Sequence, residues 1–417
     1  MTLAPFVADP ARSGDTAVFD ELESAVRLYC RRFPAVFTTA RGSTLCAEDG
    51  REFLDFFCGA GALNYGHNDP RIIARLVDYL TSGGLLHGLD LHTAAKREFL
   101  RVLREVVLAP RGLDHRVQFC GPTGTDAVEA ALKLARKATG RRTVVAFSGG
   151  FHGMSRGSLA VTGSRAGGVG PHDTVFLPYA DGPAGEFDSV ALLARQLDDP
   201  SSGLPLPAAV IVESVQMDGG VHPAPARWLR DLRELTAARG IVLICDEIQA
   251  GCGRTGRFFG FEAAGIVPDL ITLSKSLGGA GLPISVVLIR PDLDVWSPGE
   301  HTGTFRGNQL AFVAGAAALE LWRDNEFLDR LARNADRLSR FGRQVAATGT
   351  PVRGTGMVLG VEVGPDRADA VQRYCFDHGL IVETCGRTGG VVKVTPPLTI
   401  EPDDLDRGLT ILLAALS

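Results

Sequence analysis

The sequence predicts an α/β fold built on a mostly parallel sheet. Three short runs are apolar almost throughout, as in strands covered on both faces: Pro207–Glu213, Gly240–Cys245 and Pro268–Ser274. Segments with helical periodicity separate such runs, which is typical of parallel strands joined by crossover helices. We therefore expect helices on both faces of the sheet.

Composition indicates a folded protein of two or three domains. Of 417 residues, 45% are hydrophobic and 22% are charged, with a net charge of −5, which provides for a large core. No basic stripe indicates nucleic acid, and no apolar run reaches the roughly 20 residues that span a membrane. The eight cysteines lack CxxC pairs and close histidines, so we expect no metal site. Without a signal-peptide pattern, we expect reduced thiols in a cytoplasmic protein.

The first hundred residues predict helices and a hairpin beside an irregular loop. Glu48-Asp49-Gly50 lies between two β-prone runs and indicates a hairpin turn. The glycine-rich stretch Cys58–Pro70 is expected to be irregular, either lining a pocket or simply connecting two elements. The predicted elements are a helix at Phe19–Phe33, the hairpin at Val36–Asp55, and helices at Arg71–Ser82 and Thr93–Val107.

A strand, a turn of small residues and a helix follow one another between residues 117 and 138. The strand is Val117–Phe119, and the helix starts near Gly124 and Thr125 and ends near Ala138. Free N–H groups and the helix dipole at such a start favour an anion, above all phosphate. The alternative is an ordinary helix N-cap.

Polar and aromatic side chains lie at the carboxyl ends of four predicted strands. They are Phe151, His152, Glu213, Asp246 and Lys275. In open α/β sheets this edge is where ligands bind, and a buried acid there needs a cationic partner. The pair Phe151–His152 could cover a flat ring or could pack in the core.

Lys275 stands out because lysine is rare in this sequence. The chain has five lysines, at positions 96, 133, 137, 275 and 393, and uses arginine for nearly every other cation. A lysine in a dry pocket can lose its proton and form a Schiff base, which arginine cannot do. The alternative is a strand-end lysine whose ammonium group reaches water.

The end of the chain predicts a second, smaller α+β domain. A polar loop, His301–Gln309, precedes a change from long apolar strands to shorter mixed elements. We assign residues 1–60 and 312–417 to the small domain and residues 61–311 to the large domain. The predicted elements are strands at Val352–Val363 and Val391–Thr395 and helices at Leu310–Trp322, Glu326–Ala347, Asp366–His378 and Pro402–Leu416.

These residues suit a cofactor with a phosphate, a flat pyridine ring and an aldehyde. Gly124 and Thr125 would bind the phosphate, and Phe151 would lie on the ring. An ionised Asp246 would keep the ring nitrogen protonated, and Lys275 would form the Schiff base. This describes pyridoxal 5′-phosphate, with the lysine amine as proton carrier.

Six stretches resemble the class-III, fold-type-I aminotransferases over nearly the whole chain. They are FFCGAGALNYGHNDP, PRGLDHRVQFCGPTGTDAVEAALKLARK, GGFHGMSRGSLAVTG, CDEIQAGCGRTGRFFGFEAAGIVPDLITLSKSLGG, GTFRGNQLAF and VVKVTPPLTI. The DEIQAGCGRTG…SK arrangement is specific to class III. GPTGT and FRGNQLAF are similar to the diaminobutyrate–2-oxoglutarate branch, which belongs to ectoine biosynthesis.

The resemblance implies the residues that bind the cofactor. Lys275 is the Schiff-base lysine, Asp246 binds the pyridine nitrogen and Gln249 binds the ring hydroxyl. The phosphate and the ring face are contacted by Gly124, Thr125, Phe151 and His152.

The resemblance also implies that two subunits share the site and that certain residues bind the substrate. Thr304 reaches the phosphate of a neighbouring subunit, which implies a homodimer or a dimer of dimers. Glu213 matches an acid near the substrate carboxylate, and Lys393 and Arg156 are cationic candidates to bind that carboxylate. The stretch Gln216–Gly220, QMDGG, departs from the branch's usual pattern.

The implied reaction transfers an amino group from L-glutamate to the terminal aldehyde of L-aspartate 4-semialdehyde, giving 2-oxoglutarate and L-2,4-diaminobutyrate. Three alternatives stay open. One is another terminal amine, such as ornithine, 4-aminobutyrate or a pathway-specific diamine. The others are an aminomutase or decarboxylase, and a pyridoxal-phosphate-binding protein without turnover.

Overall fold

A seven-stranded sheet forms the centre of the larger part of the molecule. The computed structural model describes residues 16–163, 173–180 and 187–417. Side by side, the strands are β4 (Arg116–Phe119), β12 (Val286–Ile289), β11 (Leu270–Leu273), β10 (Val242–Asp246), β7 (Ala209–Glu213), β5 (Val144–Phe147) and β6 (Thr174–Leu177). β12 is antiparallel to both neighbours and the other pairs are parallel. The mostly parallel sheet is therefore confirmed.

Helices cover both faces of this sheet, as the apolar strands predict. Every residue of β7 and β10 is buried, including the acids that end them. Along β7, Ala209 and Ile211 pack in one core, while Val210 and Val212 pack in another. The first core holds the helix Gly124–Thr139, and the second holds the helices at 94–102, 226–238 and 309–320.

The small-domain segments form two further four-stranded sheets. The first has the order β1 (Phe37–Arg41), β2 (Thr44–Ala47), β3 (Glu52–Asp55) and β15 (Leu380–Ile381), and the second β13 (Val352–Thr355), β14 (Val358–Glu362), β17 (Val391–Val394) and β16 (Glu383–Cys385). A two-stranded pair, β8 (Val215–Gln216) and β9 (His222–Pro223), follows β7 in the sequence. The first sheet joins the two chain ends, since β15 pairs with β3.

The helices agree well with the periodicity of the sequence. They are α1 Ala17–Leu22, α2 Tyr29–Arg32, the distorted turn α3 Cys58–Gly61, α4 Pro70–Thr81, α5 Ala94–Val102, α6 Gly124–Thr139, α7 Arg156–Ala160, α8 Ser189–Asp198, α9 Ala226–Ala238, α10 Gln309–Glu320, α11 Asn325–Ala346, α12 Pro365–Asp377 and α13 Pro402–Leu416. α5 continues as a π-helical segment, Leu103–Leu108. Short 3-10 segments lie at Ala109–Arg111, Gly260–Ala264, Lys275–Gly278, Pro291–Leu293 and Leu321–Arg323.

The prediction of one helix over Phe19–Phe33 is wrong. The structure has α1 and α2 with an irregular segment between them, and neither helix has a buried residue. Ser24 interrupts the helix because its hydroxyl accepts from the Val26 N–H at 3.4 Å. The apolar side chains of this stretch, among them Leu22 and Val26, are exposed, so tertiary packing does not hold the longer helix together.

The N-terminal hairpin contains one more turn than the sequence predicts. The turn at Asp49–Gly50 is confirmed, with the Gly50 N–H donating to Ala47 O at 3.0 Å. The run before it divides into β1 and β2 at Gly42, whose φ of +58° lies in the left-handed region.

The helix α10 belongs to both cores. Phe312 packs in the core of the large sheet, whereas Ala314 and Ala318 pack in the core of the small domain. The division at 60/61 and 311/312 stays a prediction, because this helix crosses the second boundary.

Three further observations concern the described residues alone. None of their helices is long and apolar enough to cross a membrane. All eight cysteines are free thiols. No group of three or more metal-ligating side chains was found among the described residues.

Candidate active site

Asp246 is held at the carboxyl end of β10 by three neighbours. Its Oδ2 lies 2.7 Å from His152 Nδ1, and its Oδ1 accepts from Thr272 Oγ1 at 3.0 Å and from the Ile248 N–H at 3.1 Å. Thr272 stands opposite Asp246 on the parallel strand β11, so the sheet register itself makes this contact. Both oxygens are therefore fixed in orientation.

His152 contacts Asp246 from the segment that follows β5. The ring is buried, 3% exposed, and burial alone would favour the neutral form. The hydrogen bond and the charge of Asp246 outweigh burial and raise the pKa of His152. The adjacent Phe151 is 37% exposed. Whether both rings cover the cofactor stays a prediction.

Glu213 ends the neighbouring strand β7, directly beside Asp246. Its carboxylate accepts from the Phe151 N–H at 2.9 Å and from the Met217 N–H at 3.3 Å. Burial raises the pKa of Glu213 to about 7. A buried acid of raised pKa thus stands beside Asp246 at one edge of the sheet, as in many catalytic sites.

Lys275 directs its amine at the backbone of the glycine-rich stretch after β3. Lys275 Nζ donates to Ala60 O at 2.9 Å, and Gln249 Nε2 donates to the same oxygen at 2.7 Å. Burial first, and then the positive charge of Lys393, lower the pKa of Lys275 to about 8. The residue also has a φ of +48°, a strained conformation that is common at functional sites.

The glycine-rich stretch after β3 contacts Lys275 and Gln249. Cys58, Gly59, Ala60 and Gly61 all have positive φ, between 52° and 88°. This left-handed turn presents the Ala60 carbonyl to Lys275 and Gln249. The stretch Cys58–Pro70 thus begins beside the site, and its role in lining a pocket stays a prediction.

The start of α6 forms a polar corner of the site. Thr123 caps the helix, and the half-buried Thr125 places its hydroxyl 2.7 Å from Ser155 Oγ and 2.5 Å from Ser158 Oγ. Glu129 holds these groups, accepting at Oε1 from Ser155 Oγ at 2.5 Å and from the Ser158 N–H at 3.1 Å. Sequence reasoning missed this hydroxyl cluster, because Ser155 is 30 residues from Thr125.

Thr304 and Arg156 lie at the surface of the single chain. Thr304 is exposed, its carbonyl accepting from His87 Nε2 at 3.1 Å, and it precedes Phe305, which is 68% exposed. Arg156 is exposed at the first residue of α7. The predicted roles of both residues stay predictions.

Lys393 is buried and paired. Its Nζ lies 2.8 Å from Glu383 Oε2, and Tyr29 Oη donates to Glu383 Oε1 at 3.0 Å. The sequence singled out Lys393 but neither partner. No local motif could have found Tyr29, since it is 354 residues away from Glu383.

The described donors and acceptors fit pyridoxal 5′-phosphate. A carboxylate with both oxygens fixed suits a protonated ring nitrogen, and a buried amine of lowered pKa suits an aldehyde. Helix N–H groups and clustered hydroxyls suit the phosphate. The strand ends bring these parts together at one edge of the sheet.

Comparison with known proteins gives one family. Residues 29–416 match the family described as aminotransferase class-III. A diaminobutyrate–2-oxoglutarate transaminase of Nocardia farcinica is 52% identical over 97% of this chain and 94% of its own length. An uncharacterized aminotransferase, y4qG, of Sinorhizobium fredii is 49% identical over 98% of this chain and 94% of its own.

A solved structure has the same fold. It is an ornithine aminotransferase of Toxoplasma gondii with partial occupancy of pyridoxal phosphate at its active site. It is 27% identical, covers 96% of this chain and 93% of its own, and has a TM-score of 0.83. The fixed carboxylate, the buried amine and this likeness over the whole chain lead to one conclusion. The chain belongs to the class-III aminotransferases, which work with pyridoxal 5′-phosphate.

Proposed function

We propose that the enzyme transfers the amino group of L-glutamate to the terminal aldehyde of L-aspartate 4-semialdehyde. The products are 2-oxoglutarate and L-2,4-diaminobutyrate. The observation that carries this choice of substrates is the 52% identity, over almost the whole chain, to a diaminobutyrate–2-oxoglutarate transaminase. Assignment to ectoine biosynthesis and to the cytoplasm rests on the same likeness and is part of the proposal.

The residues at the ring end would prepare the cofactor. When bound, pyridoxal phosphate supplies a protonated ring that stabilises negative charge at the reacting carbon. Asp246 would hold the ring nitrogen in its protonated state, and His152 and Thr272 would keep the carboxylate pointed at it. Gln249, whose amide lies beside the Lys275 amine at Ala60 O, would bind the ring hydroxyl.

Lys275 would attach the cofactor and then carry the proton. A pKa of about 8 leaves a substantial fraction of the amine uncharged near neutral pH, as a general base requires. The amine would take the proton from the substrate carbon and return it to the cofactor carbon. Burial within the cavity keeps this proton from exchanging freely with water.

Glu213 would match the charge of the site to that of each substrate by gaining or losing a proton. L-Glutamate brings two carboxylates to the reaction, whereas the semialdehyde brings one. A buried acid with a pKa of about 7 can gain or lose a proton between these two occupants at little cost. Glu213 therefore belongs to the substrate side of the proposed site.

The phosphate end would be completed by a second copy of the chain. Gly124 and Thr125 would bind phosphate through the helix N-terminus and the hydroxyl, and Phe151 would cover the ring. Thr304 would extend to the phosphate site of the partner subunit in a homodimer or a dimer of dimers. The proposal is supported by the exposure of Thr304 and Phe305 in the single chain.

One alternative has an observation in its favour. The structural likeness to an ornithine aminotransferase supports reaction at the terminal amine of another amino acid. Such a reaction would use the same ring end and differ at the far end of the substrate.

The absorption spectrum of the holoenzyme tests the proposal. We expect a yellow protein that bleaches with excess L-glutamate and regains its colour with L-aspartate 4-semialdehyde. Recovery that is faster with the aldehyde of ornithine would favour the alternative. A yellow protein that L-glutamate does not bleach would overturn the choice of donor.

A further inference from the structure

The turn Cys58–Gly61, which presents the Ala60 carbonyl to Lys275, has an unfavourable backbone conformation. Cys58 and Ala60 have φ of +52° and +56°, in the left-handed region that residues with a Cβ rarely adopt. Such strain persists only where the surrounding structure holds it. Asp55 holds the start of the turn, because its Oδ1 accepts from the Cys58 N–H at 2.8 Å. The carbonyl that contacts the Lys275 amine therefore depends on groups outside the turn.

The end of the turn is fastened to the segment that carries Lys275. Ser276, the next residue in the chain, is buried. Its Oγ donates to Gly61 O at 2.7 Å and accepts from the Asn64 N–H at 3.0 Å. Asn64 is itself 1% exposed, and its Nδ2 donates to Cys252 O at 3.0 Å. One hydroxyl thus holds the turn against the residue next to the amine.

A buried guanidinium group fixes the Asn64 amide in turn. Arg254 is fully buried, and its Nη2 donates to Asn64 Oδ1 at 2.6 Å. Its Nη1 donates to Met357 O at 2.8 Å and to Pro396 O at 2.6 Å. Met357 lies in the turn between β13 and β14, and Pro396 follows β17. Arg254 thus joins the second small-domain sheet to the turn that meets Lys275.

The surroundings of Arg254 indicate that it fixes geometry and adds little stability. These three bonds of the guanidinium group all go to neutral oxygens, and a buried charge without a carboxylate bonded to it is costly. Burial accordingly lowers the pKa of Arg254. Its planar fork of donors can hold oxygens from three separate segments in one arrangement, which a lysine ammonium group on a flexible chain cannot do.

We propose that Arg254 is a positioning residue for the Lys275 amine and acts through Asn64 and the left-handed turn. With Asn64 in place, the turn keeps Ala60 O at 2.9 Å from Lys275 Nζ and at 2.7 Å from Gln249 Nε2. Both groups would then meet the cofactor from fixed positions. This inference rests on the role of Lys275 in the proposed function, and it holds for any substrate of the enzyme.

Loss of this arrangement should change the protonation of Lys275. A carbonyl oxygen at hydrogen-bond distance favours the charged amine over the neutral one, so a displaced turn should lower the pKa of Lys275. The charged groups that act on this amine are Lys393, Glu383, Asp246 and Glu213. Arg254→Lys keeps the positive charge and Ser276→Ala changes no charge, so a shift in either variant would come from geometry.

The measurement is the rate at which the apoenzyme regains its yellow absorbance with pyridoxal phosphate, followed across pH. The rate needs the uncharged amine, so its midpoint reports the pKa of Lys275. We expect the midpoint to fall by about half a pH unit in Arg254→Lys and in Ser276→Ala, because full loss of a hydrogen bond to a charged group is worth roughly one unit. The double variant should shift it no further than the larger single shift, since both changes act through one turn.

Matched controls alter bonds of the same kind elsewhere in the chain. Arg111→Lys changes an arginine whose Nη1 also donates to two carbonyls, Val106 O at 3.2 Å and Val107 O at 3.0 Å. Ser189→Ala removes a buried hydroxyl that accepts from Trp228 Nε1 at 3.1 Å. Both controls should lower the free energy of unfolding without moving the midpoint.

The midpoint distinguishes positioning from support of the fold. If Arg254→Lys and Ser276→Ala lower the free energy of unfolding and leave the midpoint at its wild-type value, the inference is wrong. A midpoint that moves upward would show that the turn excludes water and supplies no acceptor, and it would also overturn the inference. Ser276→Ala removes a single hydroxyl, so it decides the question if Arg254→Lys folds poorly.

Failure of the proposed function gives a different result. The measurement uses no amino donor or acceptor, so a wrong choice of substrates leaves it unaffected. If Lys275→Ala regained the absorbance of attached cofactor, the proposed role of Lys275 would fail, and the inference with it. If Lys275→Ala stayed colourless while the midpoint was unchanged in the other two variants, the role of Lys275 would stand and only the inference would fail.

Discussion

Two buried charged pairs act electrostatically on Lys275, and they differ in the partners that their groups have. Asp246 has partners on both oxygens, provided by His152, Thr272 and the Ile248 N–H. Glu383 has Tyr29 on one oxygen, and Lys393 Nζ lies 2.8 Å from the other. Because an ammonium group has three N–H donors, we call Lys393 and Glu383 the open pair, and we call Asp246 and His152 the completed pair. We expect the completed pair to act on the cofactor and the open pair to act on the substrate.

The pairs also differ in where they stand. Asp246 ends a strand of the large sheet, and neighbouring strands supply its partners in register. Glu383 and Lys393 belong to a short antiparallel pair in the small domain. Changes at the first pair should therefore affect all substrates equally, and changes at the second should depend on the substrate.

The largest effect on turnover is expected for Lys275, because the charges of both pairs act on its amine. Lys275→Ala removes the amine that would attach the cofactor and carry the proton. Turnover should fall by roughly a thousandfold or more, given the size of general acid–base effects, and the absorbance of covalently attached cofactor should be lost. Lys96→Ala, at a lysine outside the cavity, should leave the spectrum unchanged. Residual turnover close to wild type would remove Lys275 from the proposed chemistry.

Asp246→Asn tests the completed pair. The amide keeps the shape but loses the negative charge that would hold the ring nitrogen protonated. We expect a decrease on the order of a hundredfold, as for other lost electrostatic contacts in active sites, of equal size for L-glutamate and L-2,4-diaminobutyrate. Asp294→Asn, in the surface pair with Arg116, is the matched control. A loss confined to one substrate would contradict the division between the two pairs.

The sequence could predict the strand-end residues around the completed pair because their positions are local. Asp246, Glu213 and Lys275 each come at the end of a continuous apolar strand, so the fold rule alone places them at one edge. Thr272 lies within such a strand, and only the register against Asp246 reveals its role.

The open pair is beyond such reasoning. Glu383 sits in a three-residue strand, and Tyr29 lies in a region where the sequence predicts one long helix. That helix is interrupted, its apolar side chains Leu22 and Val26 are exposed, and Tyr29 packs on Phe57 with ring centroids 4.8 Å apart. Contacts between the two ends of the chain depend on tertiary packing and leave no periodic signal.

The pH dependence of cofactor attachment should distinguish the two pairs, because their removal should shift the pKa of Lys275 in opposite directions. Lys393 lowers the pKa of Lys275 more strongly than Glu383 raises it. Lys393→Met combined with Glu383→Gln should therefore raise the pKa of Lys275 from about 8. Asp246→Asn removes a charge that raises the pKa of Lys275, so it should shift that pKa downward.

The measurement is the rate at which the apoenzyme regains its yellow absorbance with pyridoxal phosphate. This rate needs the uncharged amine, so it rises as pH passes through the pKa of Lys275. The midpoint should move to higher pH in the double variant and to lower pH in Asp246→Asn. Lys133→Met, at an exposed lysine, should not move it. Midpoints that shift in the same direction would show that the two pairs do not act on Lys275 as opposed charges.

The smallest effect is expected from Thr272→Val, which removes a single hydroxyl from the completed pair. The side chain is fully buried, and its hydroxyl donates to Asp246 Oδ1 at 3.0 Å. Loss of one such bond costs about 1 kcal/mol in the free energy of unfolding. Turnover should fall about 3- to 10-fold, because Asp246 becomes less well oriented.

Thr236→Val is the matched control for this substitution. Thr236 is equally buried, but its hydroxyl donates to Arg233 O at 3.0 Å, on a helix away from the cavity. It should lower the free energy of unfolding by a similar amount without changing turnover. In Thr272→Val the ratio between diaminobutyrate and 4-aminobutyrate should stay at its wild-type value. If that ratio changed, a residue that touches only the completed pair would be setting substrate preference, and the two pairs would not be separate in function.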